Sequence, residues 1–463
     1  MGFIHKWMKE EKEMGKWYEE AVFYHMYPLG MTGAPKENDQ GEVVHRFQEL
    51  NKWVPYMKKL GCSAVYIGPL FESTSHGYDT IDYKLVDRRL GDNDDFKEFV
   101  SLCHKAGIKV VVDGVFNHTG REFFAFQDIK ENRENSKYRF WHKDVDFGGN
   151  TCYNDGFSYA AWRGHYELVN LNLYDNDVKE YLFDVIKFWI DEFDIDGIRL
   201  DCADCLEFEF MKEMRRRTAI WKKDFWLMGE VIHGDYARWA NDEVLHSVTN
   251  YELHKGLYSG HNDHNYFEIA HTIKRQFDAN GGIYKGRKLY TFVDNHDEDR
   301  IGSKLNNKEH LKPVYTLLFG ILGIPSIYYG SEWGIEGKRT NHSDDELRPK
   351  ITPEEAKKQA EENELYSYVK TLAKIKKENE ALSYGEYREL LLTNRQYAFG
   401  RLCDENKVVV AVNNDEEPAD MYVPLPCGAD KAMDLITKEE IKIKENKLEI
   451  HMPACTGMII KLK

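Results

Sequence analysis

The sequence predicts an α/β fold: a closed (β/α)8 TIM barrel with a small insertion after its third strand and a C-terminal antiparallel β-sandwich domain. Three observations lead there. Eight short apolar runs alternate with amphipathic helical patterns up to residue 383. Ionisable groups recur at the carboxyl end of these runs, where a buried strand should turn into a loop. From residue 384 onward the helical period gives way to short alternating runs separated by turn residues.

The eight runs are Ala21–Tyr27, Ser63–Leu70, Ile108–Phe116, Gly197–Asp201, Phe225–Val231, His246–Tyr251, Leu289–Asn295 and Ile324–Tyr329. Continuous apolar character over so few residues suits a strand covered on both faces. Between the third and fourth runs, Val178, Tyr181, Leu182, Val185, Ile186, Trp189 and Phe193 recur at three- and four-residue steps. Asp175-Asn176-Asp177 ahead of them supplies a capping oxygen, so a helix starts there. Asp94–Gly107, Glu207–Lys222, His264–Asn280 and about Leu365–Glu380 carry the same period. A doubly wound open sheet is the alternative. It is weakened because no GxGxxG or GxxxxGK turn follows the first strand.

About 55 residues, His118 to Tyr174, separate the third strand from its helix, and an excursion of that length implies a small functional subdomain. Beyond about Tyr384, Val408–Val412, Met421–Leu425 and Met458–Leu462 read as strands of the sandwich. The charged stretch Pro353–Glu364 reads as a solvated loop or helix face. The expected organisation is therefore 1–117 for the first part of a catalytic barrel, 118–174 for the insertion, 175–383 for the rest of the barrel and 384–463 for the C-terminal domain.

Composition narrows the partners. The net charge of −16 argues against nucleic acid or an anionic membrane surface, both of which need basic groups. No run of 18 or more apolar residues is present, so no membrane-spanning helix is expected. The N-terminal stretch MGFIHKWMKEEKEMGKWYEE lacks the apolar centre of a secretory leader. The eight cysteines form no disulfide framework. Cys202 and Cys205 have CxxC spacing without a second such pair or a histidine pair nearby, and read as ordinary buried thiols. Reduced thiols and the missing leader predict the cytoplasm.

Four segments carry the chemistry: Asp113-Gly-Val-Phe-Asn-His118, Gly197-Ile-Arg-Leu-Asp201, Gly229-Glu-Val231 and Phe292-Val-Asp-Asn-His-Asp297. In a barrel the carboxyl ends of all strands face one pocket. That pocket then holds Asp113, His118, Arg199, Asp201, Glu230, His296 and Asp297. A single carboxylate is more often a cap or a salt-bridge partner, but four such motifs at one rim are not explained that way. Several carboxylates, an arginine and two histidines without an evident metal triad suit cleavage of a glycosidic bond. One carboxylate faces the oxocarbenium-like transition state, and a second, protonated carboxyl donates to the leaving oxygen. An arginine beside the first keeps it ionised, and histidines hold sugar hydroxyls.

In order and spacing these segments resemble the four signature regions of the α-amylase family of retaining α-glucan-active enzymes, glycoside hydrolase family thirteen. The resemblance covers essentially the whole chain. It implies that Asp201 is the nucleophile, Glu230 the general acid/base and Asp297 the third carboxylate, with Arg199 paired to the nucleophile. It implies hydroxyl-binding roles for His118 and His296 and a supporting role for Asp113. Ser75-His-Gly-Tyr-Asp-Thr80 is similar to the family's HGY-type segment, where Tyr78 would stack on the same sugar with His76 nearby. Asp344 and Arg348 have the family's i, i+4 spacing for a pair that contacts that sugar. Asn117 stands at the position of a calcium ligand in many α-amylases. The Lys-His that usually continues the second signature in calcium-binding members is Asp204-Cys205 here, and calcium needs six to eight oxygens. No cofactor is expected to be required, with calcium between barrel and excursion left open.

His118-Thr-Gly-Arg-Glu-Phe123, Tyr328-Tyr-Gly-Ser-Glu332 and Gly229-Glu-Val-Ile-His233 resemble the neopullulanase and cyclomaltodextrinase branch. That branch carries an extra N-terminal β domain that mediates dimers. The first strand here begins near Ala21, so that domain is not expected, and neither is the dimer. The branch's MPDLN-type signature is Leu168-Val-Asn-Leu-Asn172 here, without the acidic residue, which leaves linkage open. The activity implied is retaining cleavage of α-1,4 bonds in maltooligosaccharides, cyclodextrins or soluble starch fragments, with transglycosylation where a sugar hydroxyl replaces water. An α-1,6-acting glucosidase, a glucanotransferase or a sucrose-type phosphorylase are alternatives on the same scaffold. A non-catalytic carbohydrate-binding barrel and a barrel metal hydrolase are remote ones.

Overall fold

The computed structural model describes residues 16–463 except His342. Most of the N-terminal stretch read above for a leader therefore lies outside the described residues. Eight parallel strands form the centre: β1 (Phe23–Met26), β2 (Ala64–Ile67), β3 (Lys109–Gly114), β4 (Gly197–Leu200), β5 (Trp226–Gly229), β6 (Ser247–Val248), β7 (Tyr290–Phe292) and β8 (Ile324–Tyr328). Each falls inside its predicted run. Their hydrogen-bonded order is β6-β5-β4-β3-β2-β1-β8-β7. A parallel bridge between Thr249 and Tyr290 draws the two ends together, so the barrel closes through one bridge.

The strands are apolar on both faces because each face has a core to fill. Phe23, Ala64, Tyr66, Val111, Trp226, Met228, Tyr290 and Ile324 fill the barrel interior. The alternate positions Tyr24, Val65, Val110, Val112, Ile198 and Leu227 pack outward against the helices. Gly197 opens β4 where a Cβ would stand 2.6 Å from the Trp226 carbonyl oxygen, so a side chain there would push β4 and β5 apart.

The helix Asn176–Phe193 starts on Asp175, whose side chain accepts from the Asp177 and Val178 amides, as its sequence predicts. Val178, Leu182, Val185, Ile186, Trp189 and Phe193 form its buried stripe. The helices Asn93–Ala106, Phe208–Trp221, Tyr266–Phe277 and Glu364–Glu378 occupy the other predicted segments. The charged stretch after Thr352 is a helix, Pro353–Glu362, held by a Thr352–Glu355 capping box and burying only Ala356.

The excursion after β3 has its own small core of Phe126, Ile129, Phe157, Tyr159 and Val169. Around it lie a helix, Phe124–Asn132, and a three-stranded antiparallel sheet of His118–Thr119, His165–Asn170 and Ala161–Trp162. Because the first strand of that sheet begins at His118, the excursion is anchored directly at the barrel rim.

The C-terminal region is an eight-stranded antiparallel sheet spanning Glu386 to Leu462. Its strand Asn406–Asn413 shows why the sequence alternates without exposing either face. Val408, Val410 and Val412 join the main core, while Val409 and Ala411 join a separate core with Ala398, Met421, Leu448 and Ile460. Among the described residues no helix is long and apolar enough to cross a membrane.

Candidate active site

Parallel register brings the charged strand ends together. Asp113 of β3 pairs with Arg199 of β4, and Arg199 pairs with Met228 of β5. The ladder runs one residue past each strand: the Asp201 amide donates to the Gly114 carbonyl at 3.1 Å and the Glu230 amide to the Leu200 carbonyl at 2.9 Å. Asp201 and Glu230 are therefore held on rigid backbone at the first positions beyond β4 and β5.

The Arg199 guanidinium bridges three buried carboxylates. Nη1 lies 2.9 Å from Asp113 Oδ1 and 3.0 Å from Asp201 Oδ1, and Nη2 lies 2.8 Å from Glu230 Oε2. Asp113 Oδ2 also accepts from the Tyr66 hydroxyl at 2.7 Å and the Tyr78 hydroxyl at 3.1 Å. Glu230 accepts from the Tyr251 hydroxyl at 3.3 Å and the Cys202 amide at 3.2 Å. Asn295 donates to Tyr251 in turn, at 3.2 Å. Cys202 reaches this position in a left-handed turn, φ 45°.

One cation facing three carboxylates leaves excess negative charge out of water. Burial pushes the Asp201 carboxyl up to about 8, against the pull of Arg199, and Glu230 and Asp113 add to the rise. Asp201 therefore holds a proton to higher pH than an ordinary aspartate does. An oxygen of Asp201, an oxygen of Glu230 and Cys202 Sγ all lie within 4.8 Å of one another. That spacing suits direct attack on a bound sugar rather than attack through an intervening water.

The opposite wall is built at the end of β7. His296 Nε2 lies 2.9 Å from Asp297 Oδ2 and 2.5 Å from the Tyr78 hydroxyl. Its ring lies nearly parallel to those of Tyr27 and Tyr78, at centroid distances of 5.7 and 5.6 Å. Arg348 donates from Nε to the His296 carbonyl at 3.0 Å and from Nη2 to Asp297 Oδ1 at 2.9 Å. Asp344 holds the same Nη2 at 3.2 Å and is itself held by Arg339 Nε at 2.7 Å. Desolvation works to raise the Asp297 carboxyl, but His296 and Arg348 outweigh it and hold the group well below the usual carboxylate range. Two carboxylates on facing walls are thus pushed in opposite directions.

His118 is buried at the start of the excursion, with Nδ1 3.1 Å from the Asn117 side-chain nitrogen and Nε2 making no hydrogen bond among the described residues. Burial, reinforced by His76, pushes its imidazole down to about 3, so it stays neutral. His76 itself is 38% exposed, its Nδ1 accepting from the Tyr78 amide at 3.2 Å.

Some expectations change in detail. Tyr78 is bound through its hydroxyl to both walls, so it ties Asp113 to His296 besides presenting a ring. Cys202 and Cys205 are half-buried rather than core thiols, and Cys202 stands beside the two carboxylates. The Asn117 side-chain nitrogen is turned to His118, and its carbonyl accepts from Leu171 at 2.9 Å. Among the described residues, acidic, histidine and cysteine side chains form two groups able to hold a metal: Asp201–Cys202–Glu230 and His45–Asp92–Asp95. The first is compatible in spacing with a cation, but Arg199 already occupies its charge.

Tyr66, Tyr251, Asn295, Tyr27 and His25 were not singled out from sequence. Tyr27 follows β1 immediately, and a search of every residue closing a barrel strand would have found it. His25 carries no such signal. Its ring lies 4.3 Å from Tyr66 and 5.2 Å from His296, and burial holds it neutral.

Residues 47–359 match the α-amylase catalytic domain, and the chain belongs to the α-amylase family of retaining glycoside hydrolases. It is 29% identical to the cyclomaltodextrinase of Thermoanaerobacter pseudethanolicus, over 96% of this chain and 79% of that one. It is also 29% identical to neopullulanase 2 of Thermoactinomyces vulgaris, over 96% of this chain and 78% of that one. Among solved structures a cyclomaltodextrinase superposes with a TM-score of 0.85 at 26% identity, covering 96% of this chain and 78% of that chain.

Proposed function

We propose that this protein cleaves α-1,4 glucosidic bonds of maltooligosaccharides, cyclodextrins or soluble starch fragments by double displacement, and transfers the glycosyl group when a sugar hydroxyl replaces water. The observation that carries the reading is the single Arg199 guanidinium within 3.0 Å of Asp113, Asp201 and Glu230.

Asp201 attacks the anomeric carbon while Glu230 gives its proton to the departing glycosidic oxygen. The C1–O bond to the leaving glucan breaks as the C1–O bond to Asp201 forms. Glu230, now ionised, takes a proton from water or from an acceptor hydroxyl, which attacks the same carbon and releases Asp201 with the starting α configuration. The form that reacts has Asp201 ionised, and Arg199 Nη1 stabilises it. Asp113, tied to Arg199, Tyr66 and Tyr78, supports that arrangement. Asp297, kept ionised by His296 and Arg348, accepts hydrogen bonds from ring hydroxyls and favours the distorted sugar. His118 and His296 hold hydroxyls of the same sugar. Tyr78 presents its ring to that sugar with His76 at its edge, and Asp344 positions Arg348. No step runs through a metal. The eight free cysteines fit a reducing compartment, and we place the protein in the cytoplasm.

Maltotriose, pullulan, panose, β-cyclodextrin and sucrose, incubated separately and resolved by chromatography, test the reading. Cleavage of maltotriose and β-cyclodextrin with an α first product is expected. Turnover of sucrose alone, or a β first product, overturns it.

A further inference from the structure

We propose that a cavity between the excursion and the turn after β4 is a second glucan-binding groove, which holds a stretch of α-glucan away from the bond being cleaved. This rests on the glucan-cleaving reading above. The cavity has a volume of about 550 Å³, and Phe140, Lys143, Asp144, Asn172, Tyr174 and Glu207 are among its walls. That volume lies within the roughly 300–1,000 Å³ of small-ligand sites.

The two rings need explaining. Phe140 is 59% exposed and Tyr174 is 70% exposed. Neither fills a core, and both flank a cavity on an otherwise charged surface. Their settings are fixed. The Asn172 amide nitrogen donates to the Phe140 carbonyl at 2.9 Å, and Asn172 Oδ1 accepts from the Tyr174 amide at 3.3 Å. Lys143 Nζ lies 5.6 Å from the Tyr174 ring and 3.4 Å from Glu207 Oε1.

The chemistry of the walls points to a neutral polyhydroxyl ligand. Arg139 and Lys143 face Glu134, Asp144 and Glu207, so the walls mix both signs with one carboxylate in excess and offer no net positive charge to an anion. Apolar ring faces interleaved with hydrogen-bonding groups fit a sugar, whose ring face is apolar and whose rim carries hydroxyls. The position fits the same occupant. The Lys143 amide donates to the Asn170 carbonyl at 3.0 Å, the Asn172 amide to Trp141 at 2.7 Å and the Leu171 amide to Asn117 at 2.9 Å. The segment that carries Asn172 is thus bonded, through its neighbour Leu171, to the residue preceding His118. Glu207 follows Asp201 across one short helical turn, Ala203–Cys205. A chain long enough to reach both places binds the second from a raised effective concentration.

The test uses Phe140→Ala, Tyr174→Ala and the double variant, assayed on maltotriose, maltoheptaose and soluble starch. Binding of maltoheptaose to Asp201→Asn, with and without the ring substitutions, is measured by calorimetry. The double variant should lose roughly tenfold in kcat/KM on maltoheptaose and starch through KM, with maltotriose unchanged. Calorimetry should show a matching loss of affinity. Unchanged constants on every substrate, or an equal loss on maltotriose and maltoheptaose, overturn the groove while wild-type cleavage leaves the functional reading intact. Wild-type inactivity on all three glucans overturns the functional reading. In that case, ring-insensitive maltoheptaose binding overturns the groove as well.

Discussion

Arg199 Nη2 lies 2.8 Å from Glu230 Oε2 while the other end of the same guanidinium holds Asp201 and Asp113, so the proposed acid and nucleophile are joined through one cation. Glu230 and Asp113 push the Asp201 carboxyl up while the shared cation pulls it down.

The first prediction concerns the Asp201 carboxyl. Burial, with Glu230 and Asp113 adding to it, raises this carboxyl to about 8, so the nucleophile gains its charge only as pH approaches that value. The kcat/KM profile should therefore rise with pH toward about 8. Glu230→Gln removes a neighbouring carboxylate, so it should move that rise to lower pH and lower kcat on maltotriose by roughly 10²–10⁴-fold. A Gln variant whose rise stays near pH 8 shows that Glu230 does not set the Asp201 carboxyl.

Arg199→Leu should destabilise the fold strongly, because it leaves three carboxylates buried without their cation. A loss of about 3–5 kcal/mol is expected at pH 7. The loss should shrink as pH falls toward 5, since the orphaned carboxyls then take up protons that the unfolded chain binds less tightly. Urea midpoints at pH 5 and pH 7 measure it, and equal destabilisation at both pH values contradicts the electrostatic account.

Glu332, behind β8, supplies a second pH dependence that does not involve the reaction. Its Oε1 accepts from Tyr24 at 2.9 Å and Tyr56 at 2.6 Å, yet burial outweighs those bonds and pushes its carboxyl up to about 7. The native state thus binds this proton more tightly than the unfolded chain does. The stability from it is fully present below the unfolded value near 4.5 and is lost as pH rises through about 7, a change of about 3 kcal/mol. Glu332→Gln keeps the acceptor without the charge. It should flatten stability between pH 5 and pH 8 and be the more stable form at pH 8, as read by guanidinium denaturation. Parallel curves for variant and wild type at the two pH values count against the assignment.

The barrel was legible because period and spacing are local properties. Asp175 caps the helix that its own sequence predicts, and Ile324–Tyr328 is a strand covered on both faces in a segment apolar throughout. Strand ends carrying Asp113, Arg199, Glu230 and Asp297 were visible because charge at the end of a buried run is rare without a purpose. The parts of Tyr66 and Tyr251 were not visible. They are ordinary strand and helix residues in sequence, and become neighbours of Asp113 and Glu230 only when the barrel closes. Asn295 stood inside the fourth segment, but its bond to Tyr251 appears only in the structure. The wall aromatics Phe140 and Tyr174 lie in a stretch without period, where nothing distinguishes an exposed ring from a buried one.

The sequence by itself determined the fold class, the order of the strands and the residue types at their ends, because hydrophobic period and chain order are properties of the chain. Only the tertiary structure decided how charge is divided among those residues. Asp201 and Asp297 are both aspartates closing a strand-end motif. Asp201 shares Arg199 with two other buried carboxylates and is pushed up, while Asp297 has His296 and Arg348 beside it and is held down. A carboxyl takes its acidity from the balance of desolvation and neighbouring charge, and that balance exists only once β3, β4, β5 and β7 meet.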